Sequence, residues 1–373
     1  MQKVTDTQRF RTLLTARSPF VSVYLDDSRD TAEADEQVEA RWRDVRGDLE
    51  DANVDEQLIA ELEQAVLRST PAVGRRGRVI VATPDGVVIN EHLPQPPAET
   101  HVRVSDYPYL VPLLDGRWQG VYLFAGVDHE GADITVHDGD GVHSETVEGE
   151  GYPVHKPVTA GWNGYGDLQH SADEAVRMNV RAIADRITEL ADKTRAEVVF
   201  VCGATRPRND VVTALPPRVA RLVSAWHGGS YGHRMAEDEA REHVAAEFEQ
   251  RRRDRDAQVA ERFVSERGRG SGMAAEGLAQ VCAALREGDV ETLIVGDLGD
   301  ATVVTGEDRA TVAPDADVLS ELGEPARRVV RADEALPFAA IATGASVVRA
   351  AEDLTPADGV AAVLRYAPSD APS

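Results

Sequence analysis

Lysine is nearly missing from this sequence. Only Lys3, Lys156 and Lys193 occur, among 40 basic and 65 acidic residues, and the net charge is −25. A surface of that sign repels a phosphate backbone at long range, which excludes nucleic-acid binding by global attraction. Local arginine patches remain open. A high-GC or salt-adapted genome explains the same arginine bias and acidity. Cysteine is scarce too. Cys202 and Cys282 form no C-x-x-C pair, which fits buried free thiols rather than a disulfide framework. No apolar run approaches the ~20 residues that span a bilayer. The opening MQKVTDTQRFRTLL has no apolar h-region or cleavage site, so a cytoplasmic protein is expected. His137 with His143, and His227 with His233, lack an H-E-x-x-H or cysteine frame, so no metal is expected.

At 373 residues the chain is long enough for two or three domains of roughly 100–200 residues each. The first part reads as mixed α/β. Phe20 to Leu25 is a strand, Thr31 to Leu49 and Asp55 to Leu67 are helices, and Arg78 to Ala82 and Val87 to Glu91 are strands. The last two meet at the turn Thr83-Pro84-Asp85-Gly86. A second part begins near Trp118, with strands Val121 to Val127, Ile134 to His137, Val142 to Val147 and Val198 to Val201, and a helix Ala236 to Arg253. A third holds the helix Leu278 to Leu285, stopped at Gly288, and strands Thr292 to Val295 and Gly359 to Tyr366. In the third part, Ala335 to Val348 reads as a helix running into a strand. The alternating glycines Gly268, Gly270 and Gly272 imitate a phosphate loop. No strand precedes them and no Gly-Lys-Ser/Thr follows, so a hinge is expected. The expected domains are 1–117, 118–265 and 272–373, α/β throughout with mixed sheets flanked by helices.

The most informative stretch runs from Pro153 to Asp185. A polar, glycine-rich loop of about 15 residues is long enough to suggest function rather than mere connection. Ser171 and Glu174 have capping-box spacing, which predicts a helix start there. Val176, Val180, Ile183, Ile187 and Leu190 line one helical face. In the loop, His155 and Lys156 suit phosphates, Trp162 and Tyr165 suit base stacking, and Asn163 suits a base edge. From composition alone, aromatics that pack back on their own domain are the simpler reading.

The same stretch resembles the middle domain of archaeal and eukaryotic class-one release factors and of Pelota, in its bacterial form. The resemblance lies in this loop, in Arg177, Asn179 and Arg181 on the helix, and in Gly277 to Leu298 and Ala332 to Val347 farther on. It covers roughly Trp118 to Tyr366 and is nearest to the mycobacterial members of the Balon ribosome hibernation factors. It implies a three-domain protein that occupies the ribosomal A site. The middle domain would reach toward the peptidyl-transferase centre, with the first domain near the decoding centre. It further implies contact with elongation factor Tu, and no cofactor, membrane or DNA. On that reading His155, Lys156, Trp162, Asn163, Tyr165, Gln169, Arg177 and Arg181 face ribosomal RNA, with Arg75 and Arg76 of a basic glycine turn.

The departure from the family pattern is chemical. Release factors carry Gly-Gly-Gln in this loop, whereas here it reads Gly161-Trp162-Asn163-Gly164-Tyr165-Gly166-Asp167-Leu168-Gln169. Glycines permit close backbone approach, and the bulk of Trp162 and Tyr165 changes that fit. A translation-silencing hibernation factor that is not an enzyme is therefore expected. The alternative is a peptidyl-tRNA hydrolase or rescue factor with a diverged loop. A third reading is a nuclease using Asp26, Asp27 and Asp30 to hold Mg²⁺; the simpler role for that cluster is capping the next helix. Arg41, Arg43 and Arg46 lie among acids and are expected to be ion-paired. The run Arg251 to Arg255 has the same reading, with an RNA contact as the alternative.

Overall fold

A computed structural model of the chain describes residues 10–29, 33–68, 76–93, 95–114, 120–138, 141–148, 165–226 and 237–367. It forms two compact units, residues 118–250 and residues 1–117 with 251–373.

The first unit opens with α1 (Arg11–Leu14), β1 (Phe20–Asp26), α2 (Ala34–Asp51) and α3 (Glu56–Leu67). Next come β2 (Gly77–Thr83), β3 (Gly86–Leu93), β4 (His101–Ser105) and α4 (Val111–Leu114). The strands make an antiparallel sheet in the order β3-β2-β1-β4. Successive side chains of a strand point to opposite faces, and β1 buries both. Val21, Val23 and Leu25 meet Val38, Trp42 and Leu49 of α2 and Ile59 and Leu62 of α3. Phe20 and Tyr24 join a different core. Each fully buried aliphatic or aromatic side chain contributes roughly 1.5–3 kcal/mol. Asp55 caps α3 by accepting from Gln57 N at 2.9 Å.

The expected capping role of the aspartates after β1 is not what the structure shows. The N-cap of α2 is Glu33, which makes no side-chain cap bond. Asp27 is fully buried and receives Arg78 Nε at 2.8 Å and Nη2 at 2.7 Å. Arg78 is itself 2% exposed and also donates to Ala65 O and Asn90 Oδ1. Asp26 accepts from Ser28 N and pairs with Arg41 at 3.1 Å. These carboxylates are held by structural donors, which leaves the Mg²⁺ reading of this cluster without free ligands at Asp27. Asp30 lies outside the described residues.

The second unit contains β5 (Tyr122–Val127), β6 (Gly131–Asp138), β7 (Gly141–Glu148), α5 (Tyr165–Thr194) and β8 (Val198–Cys202). It continues through α6 (Thr205–Ala214), α7 (Pro217–Ala220), β9 (Val223–Ala225) and the first part of α8 (Glu237–Arg269). Its sheet order is β7-β6-β5-β8-β9, with β5, β8 and β9 parallel and the β5-β6-β7 meander antiparallel. Period-two alternation again sorts the cores. Leu123, Ala125, Val199 and Val201 pack with Ile183 and Ile187 of α5. Phe124, Phe200 and Trp226 face the other way, against Val244 and Phe248 of α8.

The first unit is completed by residues 251–269 of α8 and by β10 (Ala274–Glu276), α9 (Leu278–Glu287), β11 (Val290–Val295), β12 (Thr302–Thr305) and β13 (Val312–Ala313). Then follow α10 (Ala316–Glu321), β14 (Arg328–Arg331), α11 (Ala332–Ala342), β15 (Ser346–Arg349) and β16 (Val360–Leu364). Two sheets form, β10-β16-β11-β15 and β13-β12-β14. Gly288 ends α9 in the left-handed conformation. Gly359 has φ +72° and a Cβ there would collide with Asp297 O. The expected segments 1–117 and 272–373 share one core. Tyr107 meets Phe338 edge-on at 5.3 Å, and Arg309 donates to Leu14 O and Ala16 O. Of the glycines expected as a hinge, Gly268 lies in the last turn of α8, and Gly270 and Gly272 follow it with positive φ. Among the described residues no helix is long and apolar enough to cross a membrane.

Candidate functional site

The second unit positions the residues singled out in the sequence. Helix α5 begins at Tyr165, not at Ser171. Tyr165 and Gln169 thus stand in its opening turns, and the helix starts about 9 Å earlier along its axis at 1.5 Å per residue. Ser171-x-x-Glu174 is internal to the helix, so it does not act as a capping box. His155, Lys156, Trp162, Asn163 and Arg75 lie outside the described residues.

The packed face of α5 fixes which side chains turn outward. Val180, Ile183, Ile187 and Leu190 are buried on the sheet. Asn179, which the sequence groups with the basic residues, is 1% exposed and donates from Nδ2 to His129 O at 2.9 Å. Its role is to tie the helix to the β5–β6 turn. Arg177, Met178 and Arg181 are exposed, Met178 by 52%.

The two arginines differ from several described arginines of this chain. On the same helix, Arg186 donates from Nε and Nη2 to Glu145 of β7, both at 2.6 Å, and from Nη1 to Glu189. These bonds hold the Glu145 carboxyl below its usual range. Arg41 and Arg46 are ion-paired as expected, and Arg252 of the 251–255 run pairs with Asp256 at 3.1 Å. Neither Arg177 nor Arg181 has an ion pair with a described side chain. One helical turn separates them, placing their Cβ atoms about 5–6 Å apart. Each guanidinium keeps five N–H donors in a planar fork suited to phosphate.

Arg76 is partly buried, and its backbone is engaged on both sides: its N donates to Ser28 Oγ and its O accepts from Asp27 N. Arg43 is exposed and, unlike Arg41 and Arg46, makes no ion pair with a described residue. Arg206, in the first turn of α6, is a further exposed arginine without a described ion partner. Sequence reasoning passes over it because α6 itself carries no clear apolar period; the run Thr205-Arg206-Pro207-Arg208 after a buried strand is the available signal.

Reactive chemistry is not concentrated here. Burial pushes the Cys202 thiol up to about 11 and the Cys282 thiol up to about 12, so neither is a ready nucleophile at neutral pH. His137 stacks on Tyr122 at 4.5 Å, and burial holds it below its ordinary range. Among the described residues no group of three or more His, Cys, Asp or Glu is placed to hold a metal.

Solved structures that align with the chain include ribosome-bound archaeal Pelota (with ABCE1), 15% identical, covering 97% of this chain and 94% of that one, TM-score 0.42. Pelota of Archaeoglobus fulgidus is 17% identical, covering 78% and 80%, TM-score 0.35. The archaeal translation termination factor aRF1 is 16% identical, covering 97% and 99%, TM-score 0.24. Sequence relatives are much nearer. The uncharacterized proteins MT2704 and Rv2629, from two strains of Mycobacterium tuberculosis, are each 56% identical over 362 residues, covering 97% of both chains. Residues 121–269 match the profile of bacterial archaeo-eukaryotic release factor family 2. The chain belongs to this bacterial release-factor family.

Proposed function

We propose that the protein is a cytoplasmic, ribosome-binding translation factor that occupies the A site of the 70S ribosome and silences translation without releasing peptide. Family membership supports a partner in the translation machinery. The observation that carries the reading further is the pair Arg177 and Arg181: exposed, one turn apart and without described ion partners in a chain of net charge −25. Such a protein gains little from long-range attraction to RNA, so its grip must come from a few local contacts and from shape. Arg177 and Arg181 supply charge-assisted bonds to phosphate. The segment ahead of α5 adds Lys156 and His155 for phosphate, Asn163 and Gln169 for base edges, and Trp162 and Tyr165 for stacking, each stack worth about 1–3 kcal/mol. Arg75 and Arg76 are proposed as contacts of the first unit, and elongation factor Tu as the delivering or accompanying partner.

The lack of peptide release follows from the same segment. Hydrolysis of peptidyl-tRNA by the Gly-Gly-Gln of release factors depends on a small, closely approaching backbone, and here Trp162, Asn163 and Tyr165 stand in that loop. The test is incubation with ribosomes carrying labelled peptidyl-tRNA. Release at the rate of a no-factor control, with the protein bound, is the expected result. Factor-dependent release well above that control would make the protein a hydrolase or rescue factor instead.

A further inference from the structure

The first unit carries a surface of opposite character to the α5 face. Residues 257–265 of α8 and residues 351–354 enclose a groove of about 380 Å³. Its apolar lining is aliphatic: Ala257, Ala260 and Val264 from the helix, beside Ser265, and Ala351 and Leu354 from the facing segment. Val264 is 56% exposed, whereas the adjacent Phe263 is fully buried against Ile294, Ala361 and Val363. Two carboxylates, Glu261 and Asp353, belong to the same lining, and no basic side chain does. Both are exposed, and neither has an ion pair with a described residue.

That combination selects its occupant. An aliphatic lining is covered favourably by aliphatic side chains. Unpaired carboxylates at its margin attract cationic side chains and repel phosphate. A helix with an apolar stripe and basic flanks meets both demands, as in helix-in-groove recognition. We propose that this groove docks a basic, amphipathic helical segment of a protein partner, and that it is not a nucleic-acid surface. The proposal is independent of the RNA-facing reading of α5.

The test uses the full-length chain and a synthetic peptide with leucines at i, i+3, i+4 and i+7 spacing and arginines elsewhere. Affinity is read by fluorescence anisotropy and location by hydrogen-exchange mass spectrometry. Binding with protection confined to residues 257–265 and 351–354 is expected. A scrambled peptide of the same composition should bind about tenfold more weakly or worse, because it keeps the charge and loses the stripe. Val264→Asp should weaken the leucine–arginine peptide by a similar factor. The double variant Glu261→Lys with Asp353→Lys should lose that peptide and gain one in which glutamate replaces arginine, a gain that also shows the variant is folded. Equal binding of the scrambled peptide, protection spread over the acidic surface, or no change in preference on charge reversal would each overturn the proposal.

Discussion

Two regions treat arginine in opposite ways. At the start of β2, Arg78 is buried and spends its donors on Asp27, Ala65 and Asn90. On α5, Arg177 and Arg181 stand exposed with no described ion partner. The first arrangement holds a sheet to its covering helix and has nothing left for a ligand. The second makes no described ion pair and leaves its donors open to solvent. Carboxylates are abundant in this acidic chain, and what sets Arg177 and Arg181 apart is that two exposed arginines one turn apart both lack a described ion partner. The same residue type is thus buried and paired in one place and exposed without a described ion partner in another, and the distinction rests on partners rather than on sequence context.

The comparison can be broken first at Arg78. Arg78→Ala leaves the fully buried Asp27 with Arg29 as its one remaining described arginine partner, on Oδ1 at 3.3 Å, and removing one partner of a buried pair costs about 3–5 kcal/mol. Urea unfolding should show a stability loss of that order. An unchanged midpoint would mean that the pair is not structural. Next, Arg177→Ala with Arg181→Ala should leave stability within about 0.5 kcal/mol of the parent, as for surface substitutions generally. The same variant should weaken cosedimentation with vacant 70S ribosomes. It should also lower the magnitude of the salt slope by about one for each phosphate no longer neutralised. Loss of stability with binding intact would reverse the assignment.

The buried cluster joining the two ends of the first unit sharpens the contrast through pH. Arg103 donates to Asp333 Oδ2 at 2.9 Å and to Glu334 Oε1 at 3.1 Å, and stacks over Tyr109. Burial pushes the Glu334 carboxyl above its ordinary range, against the opposing bonds from Ser105 and Arg103. Folded protein therefore holds this proton to higher pH than unfolded protein does. Its contribution to stability is present below the unfolded carboxylate pKa and is lost as pH rises through the raised folded value. Glu334→Gln should remove that component, so the stability difference between parent and variant should change across this window and be flat above it. A difference independent of pH would refute the shift. The smallest effect belongs to Arg17, whose partner Asp85 is nearly as open as itself, with side-chain exposures of 74% and 59%. Arg17→Ala should cost no more than about 1 kcal/mol in the same unfolding assay.

Much of the fold is legible in the sequence because the signals are local. The hairpin at Thr83 to Gly86 and the stop at Gly288 come from turn and cap chemistry, and the buried strands at Val121 and Val198 from apolar runs. What escapes the sequence depends on distant partners or on ambiguous local cues. Asp27 and Arg78 are 51 residues apart and meet only because β1 and β2 pair with Leu25 opposite Arg78. Spacing along the chain carries no trace of that. Ser171 and Glu174 fit a capping box and equally fit a helix interior, so α5 begins earlier than they suggest. Helix α8, expected to end near Arg253, continues to Arg269, because its apolar residues are too sparse to show a clear period. Of the candidate site, the exposed arginines on α5 are readable from the helical repeat. The burial of Asn179 is not, since its partner is a backbone carbonyl at His129.

The central claim is that α5 of the second unit faces ribosomal RNA in the A site. A cryo-EM map of 70S ribosomes incubated with the purified protein tests it directly. The account predicts density for residues 118–250 in the A site, with Arg177 and Arg181 against rRNA phosphates and the segment before Tyr165 directed at the peptidyl-transferase centre. Density elsewhere on the ribosome, or an α5 whose arginine face points to solvent, would contradict it.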